Sequence, residues 1–171
     1  MRTIKTFLLL LVFAAGFTTV KADPIPLRMA INNVTKAYLS LKDALAANNA
    51  GEAQNKAMDL VRALNAVPDV NMSSDQHRLW FDYLSKLVFD ARHINESGSI
   101  DHQREHFNDL SDNMFTVLKK FAMNNMTLYK QYSPSDRFYW ISETESIKNP
   151  YQGKGSSGFI KGEIRETLRA H

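Results

Sequence analysis

Two histidines four residues apart are the clearest sign of chemistry in this sequence. The segment His102-Gln103-Arg104-Glu105-His106 lies in a stretch with helical periodicity, and side chains four apart on a helix emerge on one side, one turn apart. Two imidazoles placed in this way can bind the same metal ion. The spacing therefore makes His102 and His106 candidate metal ligands. The alternative is a pair of solvated or core-edge histidines.

The same five residues match H-x-x-E-H, the inverted zinc-peptidase motif. A zinc hydrolase also needs a third protein ligand and an open position for water. The acidic residues far downstream that could provide the third ligand lie in a small C-terminal tail, and they include Glu143, Glu145, Glu163 and Glu166. The sequence also does not indicate the sheet and cleft that such enzymes use. A zinc-dependent hydrolase is thus a minor alternative, and the sequence favours a protein that is not an enzyme.

Residues 1–22 are typical of a cleavable signal peptide. An apolar run over residues 7–17 follows a short basic start, and Val20 and Ala22 provide small residues at the −3 and −1 positions. The run is shorter than the ~20 apolar residues of a membrane-spanning helix. We therefore expect cleavage after Ala22, a periplasmic or secreted location, and no membrane span after cleavage. Because the chain has no cysteine, we expect neither a lipoprotein nor disulfides.

The signal segment also carries the whole net positive charge of the chain. The sequence has 21 Lys and Arg against 18 Asp and Glu, and Arg2, Lys5 and Lys21 precede the expected cleavage site, where there is no acid. Removing these three leaves 18 basic and 18 acidic residues. A formally neutral domain gives no indication of a nucleic-acid partner.

Four amphipathic helices are predicted within one domain that spans residues 23–171. The first two run over about 27–47 and 52–67. The third begins with the capping pattern of Ser73 and Gln76, and the fourth has an apolar face over 100–121. Since short loops join long amphipathic helices, we expect an antiparallel four-helix bundle.

The pattern changes to a small C-terminal region from about residue 127. Short aromatic runs at 128–132 and 138–141, separated by a Ser-Pro-Ser-Asp turn, predict a β-hairpin. A glycine-rich loop follows around 149–158, and residues 163–170 are interpreted as a short closing helix. The predicted fold class is mainly α: a four-helix bundle with a small C-terminal β-hairpin and loop region.

The chain also resembles a known bacterial domain in the order of several short motifs. They include YLSLKDAL at 38–45, FDA at 89–91, HQR at 102–104, YWIS at 139–142 and IKNPY at 147–151. The sequence is similar to an exported domain of unknown function that occurs beside, or fused to, periplasmic adaptor proteins of copper and heavy-metal efflux systems. This resemblance implies a role in metal homeostasis and a periplasmic efflux-system protein as partner.

This chain lacks the soft ligands of the domain that it resembles. Where that domain has His-Cys-Pro-Met, residues 132–135 read Tyr-Ser-Pro-Ser, and of a later Met-Leu-x-Cys-Gly run only Gly162 remains. A thiolate and thioether pair suits copper(I), whereas imidazole suits zinc, copper(II) or nickel. The remaining candidates are therefore histidines, and these are His77, His93, His102 and His106.

The helical wheel separates these four histidines. It places His77 near the buried stripe of the third helix and His93 on the far side, so we expect no single site with all four. A cluster of His93, His102 and His106 across the turn between the third and fourth helices is the most reachable combination. The sequence thus predicts an exported, non-enzymatic accessory domain that binds a divalent ion, copper or zinc, weakly through these histidines. The main alternative is an interaction domain that has lost metal binding.

Overall fold

The computed structural model describes residues 26–152 and 162–171 of the chain. The described part contains four helices and a small antiparallel sheet, so the mainly α class is confirmed. The helices are α1 (Leu27–Ala46), α2 (Ala50–Asn65), α3 (Ser74–Glu96) and α4 (Ile100–Phe121), and the strands are β1 (Leu128–Ser133), β2 (Phe138–Ser142) and β3 (Glu163–Leu168). The expected signal peptide and the glycine-rich residues 153–161 lie outside the described residues.

Local capping explains where three of the helices begin. The side chain of Ser73 accepts from the Gln76 amide, and the Gln76 side chain accepts in return from the Ser73 amide, which completes the predicted capping box at α3. Asn49 and Ser99 accept from backbone amides in the first turns of α2 and α4. The cap at Ser99 places His102 in the first turn of α4, close to the end of α3.

The helices pack in chain order, α1 on α2, α2 on α3 and α3 on α4. Their apolar faces meet in one core around Leu41, Leu60, Leu87 and Leu110, all fully buried. No helix in the described ranges is long and apolar enough to cross a membrane.

A buried tyrosine ties the first helix to the fourth and to the sheet. The Tyr38 ring stacks on Phe107, with 5.3 Å between ring centroids. The Ser111 hydroxyl donates to the Phe107 carbonyl oxygen at 2.7 Å, so the Tyr38 hydroxyl is left to donate to Ser111 Oγ, also at 2.7 Å. The same phenol oxygen accepts from the Ile141 amide at 3.1 Å. One side chain thus fixes α1, α4 and β2 relative to one another.

The predicted hairpin is confirmed as β1 and β2, which pair antiparallel from Tyr129 opposite Ser142 to Ser133 opposite Phe138. Arg137 adopts a positive φ of 61° in the connecting turn. The interpretation of residues 163–170 as a closing helix is wrong, because they contain β3, which pairs antiparallel with β1 and gives the order β2-β1-β3. The pairing with β1 supplies cross-strand backbone partners, and this tertiary context outweighs the local helical pattern.

Candidate metal centre

Three of the candidate histidines meet at the turn between α3 and α4. His93 lies in the last turn of α3, and His102 and His106 lie in the first two turns of α4. The centroids of the His93 and His106 rings are 4.6 Å apart, and those of His102 and His106 are 4.8 Å apart. The structure therefore brings together the predicted combination of His93, His102 and His106.

The buried side chain of Gln103 holds this turn in place. Its amide nitrogen lies within hydrogen-bond distance of the carbonyl oxygens of Ala50 (3.0 Å), Ile94 (3.3 Å) and Ser97 (2.6 Å). These carbonyls belong to the start of α2, the end of α3 and the turn itself. One fully buried amide thereby fixes the position of α4, and of its histidines, relative to His93.

The neighbouring Arg104 anchors the same turn to the rest of the molecule. Its Nε donates to the Pro150 carbonyl oxygen at 2.8 Å, and a terminal nitrogen donates to Asn48 Oδ1 at 3.0 Å and to the Leu45 carbonyl oxygen at 3.3 Å. The start of α4 is thus bound both to the end of α1 and to the loop after β2. These contacts fix the segment of α4 that carries His102 and His106.

Two of the three rings are held at Nδ1 by the last turns of α3. His93 Nδ1 lies 2.9 Å from the carbonyl oxygen of Phe89, one turn earlier in the helix. His106 Nδ1 lies 3.1 Å from Oδ1 of Asp90. Burial raises the pKa of Asp90, and the hydrogen bond and charge of His106 act in the opposite direction. The carboxylate is only 7 % exposed, so this contact fixes the His106 ring in a sheltered position.

The third ring is held in the same manner by a carboxylate on its own helix. His102 Nδ1 lies 3.2 Å from Oε2 of Glu105. Within residues 26–152 and 162–171, the Nε2 atoms of His93, His102 and His106 have no hydrogen-bond partner. Histidines that bind metals through one nitrogen almost always have the other nitrogen bonded to a carboxylate or a carbonyl group. All three rings match that pattern.

The cluster is open to solvent on one side. His106 is 18 % exposed and His102 is 48 % exposed at the side chain. The Phe89 ring, 54 % exposed, lies 4.1 Å from the His93 ring and 5.9 Å from the His106 ring between centroids.

The ring spacing is close to that of a metal site, but the ring orientations are not. A tetrahedral zinc ion with Zn–N distances of about 2.0–2.1 Å places neighbouring imidazole centroids about 5 Å apart. His93 and His106 are stacked, with an interplanar angle of 29°, so their Nε2 atoms do not point at one ion. Across the described residues, no group of three or more His, Asp or Glu side chains is arranged to hold a metal ion as it stands. Binding therefore requires these rings to rotate about χ2, out of the orientations in which their present Nδ1 contacts hold them.

The chain matches the sequence model of one protein family. A sequence model described as "Protein of unknown function (DUF3347)" matches residues 34–126, more than half of the chain. The chain belongs to the DUF3347 family. The matched segment runs from within α1 to just before β1, so it includes the whole α3–α4 turn and its three histidines. No curated protein and no solved structure matches the chain.

The family match ends before the C-terminal sheet. The motifs at 139–142 and 147–151, which contributed to the resemblance drawn from the sequence, lie outside the matched segment. The DUF3347 description states no function, so it supplies neither a copper system nor an efflux adaptor as partner. The candidate metal centre rests on geometry rather than on the family.

The H-x-x-E-H motif has a different arrangement from that of a zinc peptidase. The Glu105 carboxylate is hydrogen-bonded to Nδ1 of His102. Two of the downstream acids that could act as a third ligand are bound elsewhere, Glu143 to Lys42 at 2.9 Å and Glu166 to Lys119 at 2.6 Å. The geometry therefore gives the hydrolase alternative no support.

The structure separates His77 from the cluster and adds Asp90 to it as the partner of His106. His77 is exposed, and its ring packs against Phe81. It is sixteen residues from His93, or roughly 24 Å along the helix at about 1.5 Å per residue. Asp90 was not identified as the partner of His106. The available signal was an aspartate between Leu87 and Ala91 in the buried part of α3, where a carboxylate needs a partner.

Proposed function

We propose that this DUF3347 protein is an exported, non-enzymatic domain that binds a divalent metal ion through His93, His102 and His106 and serves a metal-efflux protein. The observation that carries the proposal is the fixing of all three imidazoles at Nδ1, by a backbone carbonyl or a carboxylate. This leaves three Nε2 atoms on one exposed cluster as ligands.

Zinc and copper(II) are the ions that fit this set of ligands. Neutral imidazole binds both, and the chain has no thiolate to favour copper(I). The stacked His93 and His106 rings must turn before both can bind, and the cluster supplies three ligands only. We therefore expect weak binding, with dissociation constants in the micromolar range.

Isothermal titration calorimetry of the purified chain with Zn²⁺ and with Cu²⁺ tests the metal site. We expect one equivalent to bind, and His102→Ala or His106→Ala to weaken that binding at least tenfold. His77→Ala is the matched control, because His77 is an exposed histidine on α3 that lies far from the cluster. Binding that both cluster variants leave unchanged would refute the proposal.

The export and efflux parts of the proposal rest on the sequence. Residues 1–22 have the composition of a signal peptide, and the resemblance drawn from several motifs suggests an efflux partner. Fusion of these residues to a reporter that is active only outside the cytoplasm tests export. Deletion of the gene tests the role, since we expect greater sensitivity to copper or zinc and rescue by the wild-type gene but not by the His102→Ala, His106→Ala double variant.

The second candidate function is an interaction domain that no longer binds metal. It is favoured by the observation that, within the described ranges, no three ligand side chains converge on one point. In that case the calorimetric titration shows no binding in the micromolar range, while the deletion strain is still rescued by the double variant.

A further inference from the structure

An exposed phenylalanine forms part of a groove on the outer surface between α3 and α4. The Phe89 side chain is 54 % exposed. The groove has a volume of about 560 Å³, and its charged and aromatic wall consists of Lys86, Phe89 and Asp90 from α3 and Asp109 and Asp112 from α4; these residues define the α3–α4 groove. A single exposed ring is ordinary on a protein surface. Here, however, the ring lies in a concave surface where a side chain of another molecule can cover it.

The charged side chains around Phe89 are mostly acidic. Three carboxylates, those of Asp90, Asp109 and Asp112, line the groove together with one ammonium group, that of Lys86. Burial raises the pKa of Asp90, and the negative charge of Asp109 raises it further, against the effect of His106. The groove is therefore negatively charged, although residues 23–171 as a whole are formally neutral.

The two exposed carboxylates of the groove differ in their own partners. Asp112 Oδ1 lies 3.3 Å from Lys130 Nζ, at the side of the sheet. Asp109 Oδ1 accepts from the neutral side-chain amide of Asn108 at 3.1 Å, and among residues 26–152 and 162–171 no basic side chain forms an ion pair with it. A cation of another molecule can therefore approach Asp109 without displacing one that belongs to this chain.

The charge of the α3–α4 groove distinguishes between possible occupants. A second copy bound through two-fold symmetry presents the same surface on both sides, so one acidic groove would lie against another, and like charges across an interface are unfavourable. An anionic membrane surface is repelled for the same reason. A protein segment that carries basic side chains beside an apolar one complements both the carboxylates and the Phe89 ring.

Resting on the proposed function for the existence of a partner protein, we propose that the α3–α4 groove docks a basic amphipathic helix of that partner. Asp109 and Asp112 are three residues apart, or about 4.5 Å along the helix at about 1.5 Å per residue. Basic residues three or four apart on the partner helix share one face and have a similar spacing. Two of them meet the two carboxylates, while an apolar side chain on the same face covers Phe89. No metal ion takes part in this contact.

NMR titration of the isotope-labelled protein with a synthetic peptide tests the docking, in the presence of EDTA so that no metal ion contributes. The probe is an alanine-based peptide of about 18 residues, long enough to be largely helical in water, with lysines and leucines on one face. We expect the amide shifts to concentrate in residues 85–90 and 109–113, which border the groove. A peptide with glutamates in place of the lysines is the control. Shifts of equal size with this control, or shifts centred elsewhere, would overturn the proposal.

Removal of the exposed ring tests the apolar part of the contact. We expect Phe89→Ser to weaken binding of the lysine peptide about tenfold, as truncation of an interface aromatic residue commonly does. Phe81→Ser is the matched control, because Phe81 is similarly exposed (52 %) on the same helix but lies against His77, outside the groove wall. Equal losses in the two variants, or full affinity in a folded Phe89→Ser protein, would contradict docking at this ring.

Neutralising the two exposed carboxylates tests the charged part. We expect the double variant Asp109→Asn, Asp112→Asn to weaken binding of the lysine peptide about tenfold, and wild-type binding to weaken as NaCl rises from about 50 mM to about 500 mM. Asp69→Asn is the control, because it neutralises an exposed carboxylate in the loop between α2 and α3. Binding that neither the double variant nor salt weakens would overturn the proposal.

Two further measurements separate this proposal from its alternatives. Analytical ultracentrifugation without peptide should show a monomer; a dimer that Phe89→Ser dissociates would overturn the proposal in favour of a second copy. Zinc titration of the same variants distinguishes the two sites. Loss of peptide binding sites in a protein that binds zinc refutes the docking groove alone, whereas peptide docking in a protein that binds no zinc supports the groove and refutes the proposed metal site.

Discussion

The contact between Asp90 and His106 gives the sharpest test of the metal centre, because it affects metal affinity without removing a ligand. Asp90 Oδ1 lies 3.1 Å from His106 Nδ1 and is sheltered from water. Loss of such a contact typically lowers metal affinity 10–100-fold, which corresponds to about 1.4–2.7 kcal/mol of binding free energy. We expect Asp90→Ala to fall in this range for Zn²⁺.

Asparagine at the same position separates orientation from charge. In Asp90→Asn the side-chain oxygen can still accept from Nδ1–H, so the ring stays in place and only the negative charge is lost. We expect Asp90→Asn to lower affinity less than Asp90→Ala does. Asp82→Asn is the control, since it removes an exposed carboxylate two turns earlier on α3.

Calorimetric titration with Zn²⁺ measures the affinity, and thermal unfolding of the metal-free proteins shows whether each variant remains folded. Full zinc affinity in a folded Asp90→Ala protein would refute the role assigned to this carboxylate. It would also weaken the case for His106 as a ligand, because the fixed Nδ1 is the feature on which that assignment rests. Loss of affinity in Asp82→Asn would show instead that general surface charge sets the binding.

Three further predictions concern the scaffold. Tyr38→Phe should lower the free energy of unfolding by about 1–3 kcal/mol, because the buried Ile141 amide loses its acceptor; an unchanged urea midpoint would contradict this. Gln103→Ala should cost a similar amount, about 1–3 kcal/mol in the same assay, by leaving the Ile94 and Ser97 carbonyl oxygens without this donor, and should also weaken zinc binding. Burial raises the pKa of Glu143, but the hydrogen bond from Lys42, a backbone hydrogen bond and the charges of Lys42 and Lys148 together outweigh it and lower the pKa below its ordinary value of 4.5. The stability that this pair contributes is therefore present above about pH 4.5 and lost as the pH falls further through the lowered pKa; unfolding measured from pH 6 to pH 3 should show this loss in the wild type and not in Glu143→Gln.

The helices could be predicted closely because their signals are local. The capping box of Ser73 and Gln76 and the cap at Ser99 act within four residues of each helix start. The predicted second helix, 52–67, differs from the observed Ala50–Asn65 by two residues at each end. Such shifts are expected where helix ends depend on single hydrogen bonds.

The third strand could not be predicted because its partner is remote in sequence. Leu128 pairs with Leu168, and Tyr132 pairs with Glu163. Ile164 and Leu168 are four residues apart, a spacing that also fits one face of a short helix. The backbone of β1 decides between the two structures, and it does so only once the chain has folded back.

The sequence by itself determined the four helices, the lack of thiolate ligands and the pairing of His102 with His106, since spacing and composition fix these features. It also indicated His93 as the third member, through the short turn between α3 and α4. Only the tertiary structure decided that His93 lies 4.6 Å from His106, that Asp90 holds the His106 ring, and that Gln103 fixes the turn between them. These contacts join different helices, and their distances depend on how the helices pack, which no local pattern encodes.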